Sequence, residues 1–153
     1  MTSPDVPFMR EALALAEEAA RAGEVPVGAV AVHEGALVGR GRNRREQAKD
    51  PFAHAELEAL AEAARNLGRW RLGGVTLYVT LEPCTMCVGA MLAARVDRVV
   101  WGAKNPKAGA LGGLLDVTKA AHNHRFTQLG GVEEEASAAL LRRFFAERRG
   151  EVE

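Results

Sequence analysis

Residues 75–105 read "VTLYVTLEPCTMCVGAMLAARVDRVVWGAKN", and this stretch changes period twice. "VTLYVTLEP" alternates β-branched and apolar residues as a strand does, "CTMCVGAMLAARV" is a helix-length apolar run, and "DRVVWGAKN" is β-rich again. Two strands joined through a helix cannot be a hairpin; they lie parallel in one sheet, with the helix crossing over one face. The chain is therefore predicted to carry an α/β layout with a partly parallel sheet.

The rest of the sequence fills in around that unit. A first helix is predicted from about Pro7 to Ala22, with Phe8, Ala12, Leu15, Ala16 and Ala19 on one face and Gly23 as its stop. "VPVGAVAV" and "ALVGRGRN" flank "HEG" and read as a β-hairpin, followed by a polar loop, "RREQAKDP". Asp50 and Pro51 occupy the N-cap and first-turn positions of a strong helix, "FAHAELEALAEAARNLG", closed by Gly68. "PKAGALGGLLD" is a Gly-rich loop without a GxGxxG or P-loop pattern. A short strand near "FTQLGG" and a helix, "VEEEASAALLRRFFAERRG", complete the layout; that helix is acidic at its start and basic at its end, as the helix dipole favours. With 153 residues, no internal repeat and no linker, a single domain over 1–153 is expected.

Composition excludes little beyond extremes. Twenty basic and twenty acidic residues give zero net charge, so no global attraction to nucleic acid is written into the chain, although a local patch remains open. The N-terminal segment carries Asp5, Glu11, Glu17 and Glu18, unlike a signal or transit peptide. The longest apolar run, Val25 to Val32, is too short to span a bilayer. A cytoplasmic location with no membrane partner is expected, where reducing conditions disfavour a structural disulfide.

Both cysteines of the chain, Cys84 and Cys87, fall within one turn of the central helix. A CxxC beside a βαβ unit can be a redox pair, half of a metal site, or inert packing. His54, in "PFAHAELEA", turns attention to metal: one imidazole and two thiolates suit zinc. Three ligands leave a coordination position open, as in catalytic sites. A closed structural site would need a fourth ligand, for which His33, His122 and His124 are available besides carboxylates. Glu56 then has a chemical role, since zinc lowers the pKa of a water it holds to about 7 and a nearby carboxylate can relay the proton. Residues i and i+2 do not share a face in mid-helix, so this role requires Glu56 to reach back around the first turn. Without the metal ligands beside it, Glu56 would read as a solvated helix residue like Glu58 or Glu62.

HxE followed by PCxxC is the signature of zinc-dependent nucleobase deaminases. With "EVPVGAV", "HAE", "TLYVTLEPCTMC", "VGAM", "RVVWGAK", "NHR" and "FFAERR" in order and spacing, the chain resembles the tRNA-specific adenosine deaminase family over roughly residues 6–149. The resemblance implies a three-layer α/β/α cytidine-deaminase-like fold, with a central mixed β-sheet of about five strands covered by helices. It implies hydrolytic deamination of adenosine to inosine at the wobble position of a tRNA anticodon stem-loop, by a homodimer with one Zn2+ per subunit. His54, Cys84 and Cys87 look like the zinc ligands. Glu56 looks like the proton shuttle, carrying a proton to adenine N1 and then to the departing amine while water attacks C6. The backbone N–H of Cys84, at a helix start, is the candidate donor to the reacting oxygen.

Asn43, in "GRNR", matches a substrate-contacting asparagine of the family, and also suits a turn at a strand end. Lys104, Lys107, Lys119, Arg125, Arg148 and Arg149 are candidate phosphate contacts, Lys107 and Arg149 foremost. Phe144 or Phe145, Phe145 foremost, could stack on a splayed base. Asn105 stands where the family usually has Asp, which replaces a charged acceptor by an amide with donors of its own and bears on substrate discrimination. Three other readings stay open at this point: a deaminase of a free base or nucleotide such as guanine or deoxycytidylate, a non-catalytic, zinc-stabilised RNA-binding module, and a thioredoxin-like oxidoreductase with a reversible Cys84–Cys87 disulfide.

Overall fold

The computed structural model describes residues 3–150. Helix α1 (Asp5–Arg21) leads into the hairpin of β1 (Gly28–His33) and β2 (Ala36–Arg42). The hairpin turns on Glu34 and Gly35, both at positive φ (52° and 79°), as a tight two-residue turn requires. A single turn, α2 (Arg45–Ala48), and helix α3 (Ala55–Leu67) follow. Then come β3 (Val75–Leu81), α4 (Thr85–Ala94), β4 (Arg98–Ala103), β5 (Thr127–Leu129) and α5 (Glu134–Arg148), with a short 3-10 turn at Val117–Lys119 before β5. The sheet order is β2-β1-β3-β4-β5. β1 pairs antiparallel with both β2 and β3, while β3, β4 and β5 run parallel, so the sheet is mixed. The predicted three-layer architecture with five strands is the one observed.

Alternate residues of each strand face opposite layers. Ala29, Ala31, Leu77, Val79 and Val99 form one core with α3 and α4, and Val30, Val32, Tyr78 and Val100 form the other with α1. Helix α5 packs beside α1, against β4. Asp5, at the start of α1, accepts two hydrogen bonds from the Arg98 guanidinium (2.7 Å each) and one from the Tyr78 hydroxyl (2.7 Å), which ties the helix to the sheet.

Two local expectations are corrected. "RREQAKDP" is not wholly loop, since it holds α2. Asp50 and Pro51 do not start α3: the Asp50 side chain accepts from the Phe52 N–H (2.9 Å) within a turn, and the helix begins at Ala55 with His54 as its extended N-cap (φ −87°, ψ 148°). The competing cap comes from a neighbouring strand end, where Asn43 Oδ1 accepts the Ala55 N–H at 3.1 Å. Close approach of the hairpin to α3 also depends on glycine, because a Cβ on Gly39 or Gly41 would stand 2.1 Å from the Ala59 carbonyl oxygen or 2.2 Å from that of Ala55.

Candidate active site

The two helix starts converge. His54 caps α3 and Cys84 caps α4, each in extended backbone, with Cys87 one turn into α4. His54 Nδ1 lies 3.8 Å from Cys84 Sγ and 3.5 Å from Cys87 Sγ, and all three donor atoms fall within 4.8 Å of one another. A tetrahedral ion with bonds of about 2.0 Å to nitrogen and about 2.3 Å to sulfur would hold such donors about 3.5 Å apart, so the donor set fits zinc in type and spacing. Both cysteines are free thiols. Cys84 is held down at about 3, first by the hydrogen bond from Cys87 and then by His54, while that same bond and burial push Cys87 up. His54 is pushed up, chiefly by its hydrogen bond with Cys84, against the effect of burial.

No fourth histidine, cysteine or carboxylate groups with these three among the described residues. His122 Nε2 sits 2.7 Å from the Val117 carbonyl oxygen and His124 Nε2 2.5 Å from that of Val96, so both rings are engaged elsewhere. Glu56 is 4% exposed and faces the same cleft as His54 and Cys84. Burial pushes its carboxyl up from the ordinary range. Because α3 starts at Ala55, Glu56 belongs to the first turn beside the extended His54, and the i, i+2 objection falls away.

The cleft holds about 490 Å3, enough for a nucleobase, and opens to solvent. Asn43, Asn105 and Phe145 line it, as do Val25, Val27 and Leu81; Lys107 and Arg149 do not. The Asn43 amide donates to the Val25 carbonyl (3.2 Å) while its oxygen holds Ala55, so this cleft-lining residue has one N–H and one lone pair that these bonds do not use. Asn105 Oδ1 accepts from the Ala108 N–H (3.2 Å). Of the two aromatics on α5, Phe144 is 8% exposed and packs inward, whereas Phe145 is 43% exposed. Lys107 is exposed on the loop after β4, and Arg149 closes α5 through its backbone N–H to Phe145. Arg148, predicted only as a phosphate contact, donates to the Gly23 carbonyl, both residues lining the cleft, and lies 4.8 Å over the Phe144 ring.

Sequence reasoning missed Glu24 and Glu82, which border the cleft and are 3% and 2% exposed. The signal was faint but present: each is a carboxylate set against an apolar run, "EVPVGAV" and "VTLYVTLE".

A mixed sheet with two helix N-termini presenting His/Cys/Cys, and a buried Glu beside them, defines a deaminase domain, and the MafB19-like deaminase family profile matches residues 5–149. Within that class the chain belongs to the tRNA-specific adenosine deaminase family. It is 46% identical over 143 residues to the tRNA-specific adenosine deaminase of Bacillus subtilis, covering 93% of this chain and 89% of that protein. A solved tRNA:A34 deaminase, studied for A-to-I editing at the wobble position of transfer RNA, superposes with a TM-score of 0.84 at 41% identity, over 88% of this chain and 99% of that one. The tRNA(Ile)-lysidine synthase of Deinococcus radiodurans is 54% identical over 142 residues, 92% of this chain, but the chain spans only 24% of that protein's length.

Proposed function

We propose that this chain is one deaminase domain that hydrolyses adenosine to inosine at the wobble position of a tRNA anticodon stem-loop in the cytoplasm. The observation that carries the reading is the single cleft faced by both the His54/Cys84/Cys87 donor set and buried Glu56, in a chain of this family. His54, Cys84 and Cys87 hold one zinc ion. When bound, zinc activates water for attack by lowering its pKa to about 7.

Glu56 accepts the proton released as water adds at adenine C6 and delivers it to N1. It then takes the proton of the new C6 hydroxyl and passes it to the exocyclic amine, so that the C6–N bond breaks, ammonia leaves and the C6 carbonyl of inosine forms; one water is consumed and one ammonia released. The Cys84 backbone N–H, at the cap of α4, donates to the oxygen that develops at C6. The free N–H and lone pair of Asn43 meet the base edge or ribose. Phe145 is exposed for stacking on an unpaired anticodon base, Asn105 meets the nucleotide from the opposite wall, and Lys107 and Arg149 contact phosphates outside the cleft.

The partner besides RNA is a second copy of the chain. Helix α4 contains no charged residue, and Thr85, Gly89 and Ala93 on it are exposed and small, a surface on which another helix can pack closely. No helix among the described residues is long and apolar enough to cross a membrane.

Inosine formation by zinc-loaded protein on a stem-loop carrying wobble adenosine, with free adenosine, guanine and deoxycytidylate in parallel, tests the reading. Conversion of the stem-loop alone, lost in Glu56→Ala, is the expected result. Deamination of a small molecule with the stem-loop untouched would overturn the tRNA assignment.

A further inference from the structure

Two buried carboxylates flank the cleft without joining its chemistry. Glu24 accepts the N–H of Glu46 at 3.1 Å on one oxygen and that of Gln47 at 2.7 Å on the other. Glu82 accepts the Asn105 N–H at 3.1 Å on Oε1, and those of Leu111 at 2.9 Å and Gly113 at 2.8 Å on Oε2. Neither lies within ion-pair distance of a Lys or Arg among the described residues. Burying a carboxylate without a counter-cation is costly unless several donors converge on it, and here backbone N–H groups from distant segments do so. An amide could not replace either one, because its NH2 would face an N–H.

The segments they hold are the two walls of the cleft: Arg45 and Glu46 line one side, Asn105 and Ala108 the other. The loop after β4 is wrapped tightly about Glu82. A Cβ on Gly109 would stand 2.4 Å from its carboxyl carbon, and one on Gly113 would stand 2.7 Å from Oε1. Other contacts, such as the Ala110 N–H to the Pro83 carbonyl (2.8 Å), still attach that loop without the carboxylate.

We infer that Glu24 and Glu82 are paired positioning residues that fix the two walls of the cleft before substrate arrives, Glu24 through residues 46–47 and Glu82 through residues 105–113. Resting on the deaminase reading, the inference makes them determinants of stem-loop affinity, because a wall already ordered need not lose its freedom on binding. Proton transfer by Glu56 and metal retention do not depend on them.

The test is Glu82→Gln and Glu24→Gln, each followed by amide hydrogen exchange, zinc content and steady-state kinetics on the anticodon stem-loop. Glu82→Gln should speed exchange at Leu111 and Gly113 but not at Glu46 and Gln47, and Glu24→Gln should do the reverse. Each should raise KM by roughly tenfold, as loss of a buried charge-assisted hydrogen bond does, with kcat and zinc content nearly unchanged. Unchanged exchange at these amides, or a fall of zinc content and kcat in step with the rise of KM, would overturn the inference. If Glu82→Gln does not fold, Glu24→Gln decides it at the other wall. If the parent protein leaves the stem-loop untouched, the tRNA reading fails while the exchange pattern still judges the clamps.

Discussion

His54 stands one residue before α3 and Cys84 one residue before α4, so both side chains project from extended backbone rather than from a helix face. That placement lets Glu56 share the cleft with His54, and their proposed roles can be tested apart. Glu56→Gln should keep zinc bound, measured by metal analysis, yet lower kcat by about 10^2–10^4, the range that general acid–base groups contribute. Cys87→Ser should lose the metal as well, and chelation of the parent protein followed by zinc should remove and restore activity. Away from the site, the Arg98 guanidinium beside Asp5 holds that carboxyl below its ordinary value of 3.8. A depressed carboxylate adds stability above its unfolded pKa and loses it as pH falls through the folded one. Asp5→Asn should therefore cost about 1–3 kcal/mol at neutral pH. In denaturant titrations the gap to the parent protein should narrow only below pH 3.8. The donor residues could be read from the sequence because their types and spacing define them. Glu24 and Glu82 left only the faint signal of a carboxylate beside an apolar run, and their role could not be read, because their partners are backbone N–H groups 22 to 31 residues away, which any residue type supplies.

At the scale of elements, the start of α3 decides where His54 and Glu56 point. Asp50-Pro51 is a sound local cap, yet Asn43 captures the Ala55 N–H from the end of β2, and the helix starts later than local chemistry predicts. The hairpin reinforces this through Gly41, whose missing Cβ leaves room for the Ala55 carbonyl. Gly41→Ala should destabilise the fold by about 1–3 kcal/mol through overpacking. Because the strain falls next to His54, it should also reduce zinc content, whereas Gly35→Ala, strained only by the positive φ of the hairpin turn, should lower stability yet leave metal content intact. Thermal unfolding and metal analysis of the two variants separate these effects.

For the whole molecule, the proposed dimer seats its second copy on the outer face of α4. A Cβ on Gly89 meets nothing within 4 Å, so Gly89→Arg should leave the subunit folded. It should nevertheless shift sedimentation from dimer to monomer; a parent protein already monomeric at micromolar concentration would refute the proposed dimer. By itself the sequence determined the βαβ unit, the mixed sheet with covering helices, and the His/Cys/Cys set with its neighbouring Glu. Period, β-branching and ligand type are properties of residues close together in the chain. Only the tertiary structure decided where α3 begins, that Asn43 reaches across to cap it, and that Glu24 and Glu82 hold opposite walls. These outcomes depend on which backbone donors lie nearest after the layers pack, and a backbone N–H has no identity in the sequence.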